Sequence, residues 1–432
     1  MKRGVVLSGG GTKGAFEAGV WRALLELNVD YQVVTGTSIG SINGALMSMM
    51  DFERCEKMWL GMEMGDLLGM PAKKKSTMSD FMQRIFSPAE SMRERMGAGA
   101  VDNSPFPEFI QTNIDEDAIR RSPVDYGLVT VRCRDRKAFF LPKKDVPEGL
   151  LRDYIIASSS VYPIFPMHKI GDEFFIDGMY HDNLPIDLCV SMGAEELVVV
   201  DLHQKPQHPD YASRPYVTYI TPSEDLGGVL AFNPEKIRKN VEMGYRDAMR
   251  TFGRYKGYVY SFRPESLRDF GNAIERFNMY CVKGQATANL NAKKKLKKPE
   301  DLNRMFQLLE EYSRGRAVQK EDYFIRGAEI AAGICGLSHE KIWDMGELSQ
   351  EVLTSIGPAD RYPDREIFKP GISRSFSKQL KELQKTKGSA YLLGCLSHAG
   401  TLETEDYELM REILMTLPRE MAACLFVTSV SA

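Results

Sequence analysis

Gly4-Val-Val-Leu-Ser8 is a short apolar run, and Ala15, Phe16, Gly19, Val20, Ala23, Leu24 and Leu27 then recur at helical spacing. The chain therefore opens as strand, glycine loop and helix. Tyr31-Gln-Val-Val-Thr35 predicts a second strand, which runs into Gly36-Thr37-Ser38-Ile39-Gly40 before Ile42, Ala45, Leu46 and Met49 resume the helical period. Two strand-turn-helix units in succession predict an α/β sheet. From Phe52 to Asp115 the pattern turns helical and polar, rich in Met and broken by Pro71, Pro88, Pro105 and Pro107. It reads as an insertion or cap over about residues 52–120. The Met- and Phe-rich part from Met58 to Met96 leaves a cap, an interfacial lid or core packing open.

Strand patterns return at Tyr126-Gly-Leu-Val-Thr-Val-Arg-Cys133 and Ala138-Phe-Phe-Leu141, with hairpin spacing across the charged turn Arg134 to Lys137. A second short turn at Gly171-Asp172 separates Met167-His-Lys-Ile170 from Glu173-Phe-Phe-Ile176, and the latter strand delivers Asp177-Gly178. Pro185 to Gly193 predicts a helix, and Glu196-Leu-Val-Val-Val-Asp201 and Tyr216-Val-Thr-Tyr-Ile220 predict further strands. Past Phe262 the chain becomes helical and charged, with Leu302, Met305, Phe306, Leu308 and Leu309 on one face. These patterns predict a catalytic domain over 1–262 and a mostly helical region over 263–432, which carries no motif tied to chemistry.

At 432 residues, 43% hydrophobic and 27% charged, the chain has an ordinary globular composition with room for one large core and an appended region. The net charge of -3 argues against nucleic acid as the main partner. The basic run Lys293 to Lys298 leaves a membrane-surface role open, with a solvated loop or helix end the favoured reading. Met1-Lys2-Arg3 leads straight into Gly4-Val-Val-Leu and then glycine, which is not a secretory pattern, and no stretch is apolar enough to span a membrane. Seven scattered cysteines without CxxC spacing indicate neither a disulfide framework nor a zinc site, and reduced thiols in a cytoplasmic protein are expected.

Three segments carry candidate chemistry. Gly36-Thr37-Ser38-Ile39-Gly40 is a G-x-S-x-G between strand and helix, the context of a nucleophile elbow. Glycines there let the backbone bend sharply and leave the serine hydroxyl exposed to substrate. Gly9-Gly10-Gly11-Thr12-Lys13-Gly14 closes the first strand and opens the first helix, so that its N–H groups can converge on an anion. Gly9-x-Gly11-x-x-Gly14 also fits a dinucleotide fingerprint, which expects an acid ending the second strand; Asp30 precedes that strand, so a dinucleotide is disfavoured. Asp177-Gly178, followed by Asn183 and Pro185, would in isolation cap a turn.

Taken together, Ser8-Gly-Gly-Gly-Thr-Lys-Gly14, Gly36-Thr-Ser-Ile-Gly40, Ala157-Ser-Ser-Ser-Val-Tyr-Pro-Ile-Phe-Pro166 and Asp177-Gly178 with Asn183 and Pro185 resemble the patatin-like phospholipase family in order and spacing. The resemblance covers about residues 3–250, with a weaker block from Asn240 to Ala248. It implies a three-layer α/β/α sandwich with a mainly parallel central sheet, and a Ser-Asp dyad that hydrolyses acyl esters of phospholipids or other lipids without a metal or cofactor. Carried over, Ser38 is the nucleophile, Asp177 its base, and Gly9, Gly10 and Gly11 the oxyanion hole, supported by Lys13, Gly14, Gly36, Gly40 and Gly178. A partner is expected to compensate Lys13, a cation in a helix's first turn. Ser8 and Met179 depart from the family pattern, with consequences for pocket shape. The implied location is cytoplasmic, with peripheral contact at the inner membrane face; no oligomeric state is specified.

Two other readings stand beside this one. In an α/β-hydrolase, Ser38, Asp177 and His203 would form a triad in that fold's chain order, although only one strand-helix unit precedes Ser38. A non-catalytic lipid-binding protein on a hydrolase-like fold is the other. His168, His181 and His203 are read as structural, so His181→Ala or His203→Ala is expected to leave most esterase activity. A dyad further requires a carboxylate with raised proton affinity, for which burial of Asp177 is expected.

Overall fold

Strand β1 (Arg3–Leu7) lies between β2 (Val33–Thr37) and β7 (Glu196–Val200), parallel to both, at the centre of an eight-stranded sheet. Beyond β7 comes β8 (Val217–Ile220), and beyond β2 comes β3 (Asp125–Arg132), both again parallel. Three antiparallel strands, β4 (Lys137–Pro142), β5 (His168–Ile170) and β6 (Glu173–Asp177), complete it in the order β5-β6-β3-β2-β1-β7-β8, with β4 on β3. This computed structural model describes residues 1–61, 105–282, 304–311, 318–369, 376–400 and 407–431.

Alternation along the central strands creates two apolar faces. Val6, Val33, Leu197 and Val199 form one, packed with Ile186 and Cys189 of α6 (Ile186–Ser191). Val34 and Leu7 point the other way toward α2 (Ile39–Met49), where Gly44 lets the helix approach. Helices on both faces make the three-layer α/β/α sandwich. Helix α1 (Ala15–Glu26) crosses α7 (Pro234–Thr251) at Gly19 and Gly244, where a Cβ would meet the facing backbone at 1.8 and 1.9 Å. The segment from Asn240 to Ala248 is thus a packing element. The described flanks of the expected cap are helical: α3 (Phe52–Gly61), α4 (Phe106–Asn113) and α5 (Glu116–Arg121). Most of the Met58 to Met96 stretch, and the lysine run 293–298, lie outside the described residues.

The chain divides into two compact units, Met1–Thr251 and Phe252–Ala432. The division falls before residue 262 because the preceding segment bonds within the second unit. Lys256 and Phe262 exchange N–H···O bonds of 3.0 and 2.9 Å, and β9 (Ser261–Phe262) pairs in parallel with β10 (Ile342–Trp343). The second unit is otherwise mainly helical, with helices Lys320–Ile334, Met345–Ile356, Phe376–His398, Tyr407–Thr416 and Pro418–Ser431 around a core containing Phe277, Phe324, Leu348, Leu393 and Phe426.

Candidate active site

Ser38 is the single residue between β2 and α2, and its backbone sits at φ 55° and ψ -126°. That region is sparsely populated for a residue with a Cβ and costs on the order of 1–3 kcal/mol. The neighbouring glycines permit the bend: a Cβ on Gly36 would lie 2.1 Å from the Gly40 carbonyl oxygen, and one on Gly40 2.6 Å from that of Leu7. The strained turn is pinned from outside. Ser38 N–H donates to Ser158 Oγ at 3.0 Å, whose own hydroxyl donates to the Val129 carbonyl at 2.7 Å, and Ser41 Oγ donates to the Ser38 carbonyl at 2.6 Å.

Strand register brings Asp177 to this turn. Residues 127–129 of β3 pair with both β2 and β4, and residues 130–132 with both β4 and β6. A strand has two flanks, so β2 and β6 share the one opposite β4. Thr37, the last residue of β2, pairs with Val129; Asp177, the last of β6, pairs with Thr130. The two strands therefore meet head to head at their C-terminal ends, with Ser38 and Asp177 at the junction. Gly178 seats this corner, since a Cβ there would lie 2.3 Å from the Val129 oxygen and 2.9 Å from Thr37 Cγ2.

Asp177 is fully buried. Its N–H donates to the Ser160 carbonyl at 3.0 Å and its Oδ1 accepts the Met179 N–H at 2.8 Å, whereas Oδ2 has no fully formed hydrogen bond. Burial pushes its carboxyl up to about 7, opposed by the Ser38 hydroxyl and the Met179 amide.

The glycine loop divides its amides. Gly9 N–H donates to the Asn183 carbonyl at 3.0 Å, so that amide is committed, which corrects its expected place among the oxyanion donors. Gly10 and Gly11 N–H meet no acceptor among the described residues. Asn183 Nδ2 also donates to the Gly9 carbonyl at 3.2 Å, and the Thr12 N–H donates to the Val229 carbonyl at 2.9 Å, clamping the loop at both ends. The expected counterion of Lys13 is missing: among the described residues no acid pairs with it. Ser38 and this loop open on a cavity of about 380 Å³, walled by Ile39, Ile42, Trp59, Phe106, Phe109 and Phe165 among others.

Residues 5–190 match the family model described as patatin-like phospholipase. They form a patatin-like phospholipase domain. The domain is similar to patatin-like phospholipase domain-containing protein 7 of Mus musculus, 28% identical over 209 residues that cover 47% of this chain and 14% of that protein. It is also similar to lysophospholipase NTE1 of Mycosarcoma maydis, 24% identical over 47% of this chain and 10% of that one. The chain thus spans a small part of the length of these relatives. A solved structure, VipD from Legionella pneumophila, covers 99% of this chain and is itself covered to 90%, at 12% identity and a TM-score of 0.38, too low to carry an argument.

In the first compact unit His203 also lines the Ser38 cavity, but its Nδ1 lies 3.0 Å from Asp201 Oδ1, so Asp201 and not Asp177 orients it. That pairing weighs against a Ser38-Asp177-His203 triad. His181 packs edge-on against Phe140, with ring centroids 5.8 Å apart, and does not line the cavity. Ser158, Ser160, Asp201 and Gln207 had no role assigned from sequence. The first two lie in the quoted Ala157 to Pro166 block, which was the available signal; Asp201 ends an apolar strand and gave none. Among the described residues no helix is long and apolar enough to cross a membrane.

Proposed function

We propose that the patatin domain is a serine lipid acyl hydrolase working through Ser38 and Asp177. The observation that carries this reading is the head-to-head meeting of β2 and β6, which sets a strained serine beside a buried, under-bonded carboxyl. Asp177 takes the Ser38 proton as Oγ attacks the ester carbonyl. The resulting oxyanion accepts N–H bonds from Gly10 and Gly11, with Gly9 fixing the loop through Asn183; one such donor is worth about 3–4 kcal/mol. Asp177 then protonates the departing alkoxide, and a water deprotonated by Asp177 releases the acyl group. The steps call on no metal or cofactor.

The apolar walls fit an acyl chain, and a volume of about 380 Å³ is at the small end of ligand pockets, about 300–1,000 Å³, which favours one chain over two. The lysophospholipase among the similar proteins supports a monoacyl phospholipid as substrate. Lipids of this kind reside in membranes, so the reading includes peripheral contact of a cytoplasmic protein with the inner membrane face. A fluorophosphonate probe tests the nucleophile: wild type labels and Ser38→Ala does not. Folded wild type that neither labels nor hydrolyses any p-nitrophenyl or lipid ester would instead make this a lipid-binding protein.

A further inference from the structure

We infer that Ser159 positions the water of the second half-reaction: its hydroxyl oxygen accepts one O–H of the water whose other O–H passes its proton to Asp177 as the acyl group leaves Ser38. This deepens the serine-hydrolase reading of the Ser38 cavity and rests on it. Ser159 lines that cavity, is 6% exposed, and its Oγ has no hydrogen-bond partner among the described residues. Leaving a buried hydroxyl unpaired costs stability, so one that persists calls for a partner that arrives during function. The other hydroxyl and amide side chains of the lining are committed, the nucleophile apart. Thr12 Oγ1 donates to the Gly228 carbonyl at 3.0 Å, and Asn183 Nδ2 to the Gly9 carbonyl at 3.2 Å.

Ser159 is set beside the dyad by its own neighbours. It caps the helix Leu151–Ser158, its N–H shared between the Ile155 and Ile156 carbonyls at 3.2 and 3.0 Å. On one side Ser158 Oγ accepts the Ser38 N–H at 3.0 Å; on the other the Ser160 carbonyl accepts the Asp177 N–H at 3.0 Å. The outer two of these three serines commit their hydroxyls to the Val129 and Ile156 carbonyls, at 2.7 and 2.8 Å, which leaves the middle one for a reactant. An acyl chain along Val161, Ile164 and Phe165 offers that hydroxyl no hydrogen-bonding atom, so its partner belongs to the reacting centre. There the oxyanion has the Gly10 and Gly11 amides, and the departing alkoxide takes its proton from Asp177. What remains is the water, which needs two acceptors to hold a lone pair toward the acyl carbon. As the water oxygen bonds to that carbon, one proton goes to Asp177. The C–Oγ bond to Ser38 then breaks, Ser38 Oγ takes that proton back, and the second proton leaves with the carboxylic acid.

Methanol supplies the test, because it can give Asp177 a proton but has no second O–H for Ser159. Wild type and Ser159→Ala are given a p-nitrophenyl acyl ester in water containing a fixed share of methanol, and the carboxylic acid and methyl ester are measured. Both products come from one acyl-enzyme, so their ratio reports its breakdown whichever step limits turnover. Ser159→Ala is expected to raise the ratio of methyl ester to acid about tenfold, as loss of one hydrogen bond to the attacking water warrants. Fluorophosphonate should still label Ser38 within about twofold of the wild-type rate, since labelling uses no water. Ser159→Thr, which keeps the hydroxyl, should bring the ratio back toward wild type. The urea midpoint of Ser159→Ala should not fall, because no bond of the free protein is lost. A ratio that does not move in an active enzyme would overturn the proposal and leave the dyad standing; slowed labelling alongside it would make Ser159 a spacer between Ser158 and Ser160. Wild type that releases no p-nitrophenol and takes no label would remove the dyad and this proposal together.

Discussion

Asp177 and Glu329 are buried carboxyl groups, one in each compact unit, and their surroundings treat them in opposite ways. Glu329, on the helix Lys320–Ile334, accepts the N–H groups of Tyr258, Val259 and Tyr260 at Oε1 (2.6, 2.9 and 3.1 Å) and pairs through Oε2 with Arg326 Nη1 at 2.7 Å. Asp177 accepts one amide at Oδ1, is left without a full bond at Oδ2, and is pushed up to about 7 by burial. A saturated buried acid fixes a loop; an under-bonded one beside a hydroxyl is set to take a proton. Burial alone does not separate the two roles. Glu17 of α1 is buried and held well above the usual carboxylate range by desolvation, yet its side-chain partner is the Asn43 amide at 2.7 Å and not a nucleophile.

The comparison can be broken in several places. Ser38→Ala should lower hydrolysis of a p-nitrophenyl ester by about a thousandfold or more, as removal of a nucleophile does; a smaller loss places the nucleophile elsewhere. Glu329→Ala should cost about 3–5 kcal/mol in denaturant unfolding of the second unit, because three N–H groups and Arg326 lose their acceptor, while fluorophosphonate labelling of Ser38 persists. Unchanged stability would show that Glu329 is not what holds residues 258–260.

Asp177→Asn should do the reverse, removing activity while helping the fold at neutral and higher pH. The folded carboxyl lies at about 7, above its ordinary 3.8. A raised folded value favours the folded state fully below about pH 4, and that contribution is lost as pH rises through about 7. The stability gap of Asp177→Asn over wild type should therefore widen by on the order of 2–4 kcal/mol between about pH 4 and pH 8, read from urea midpoints. A gap that stays constant or narrows contradicts the assignment. The smallest expected effect is that of His181→Ala, which should keep ester hydrolysis within about twofold of wild type because its ring packs against Phe140 and does not line the Ser38 cavity.

Much of the patatin domain was legible in local pattern. The apolar run before Gly9, the strand-to-helix change at Ser38, the turn at Gly171-Asp172 and the helix after Pro185 all appear where spacing and turn residues predicted them. Long-range pairing was not legible. That Asp177 meets Ser38 depends on β6 taking up the flank of β3 where β2 stops, a register no local window contains. Likewise the loss of the Gly9 amide to Asn183, and the pairing of His203 with Asp201 where a triad would have used Asp177, are contacts between segments whose own patterns are silent about them. The unit boundary moved for the same reason, through the pairing of β9 with β10.

The central claim is that Asp177 is the proton acceptor for Ser38, and the most direct measurement is the pH profile of kcat/KM for a neutral, water-soluble ester with wild type and Asp177→Asn. Wild type should be flat above about pH 7 and fall about tenfold per unit below it, as an essential base with that affinity protonates, while Asp177→Asn stays at least about a thousandfold lower throughout. A wild-type rate indifferent to pH between about 5 and 8, or an Asp177→Asn variant with near-wild-type rates, would contradict it.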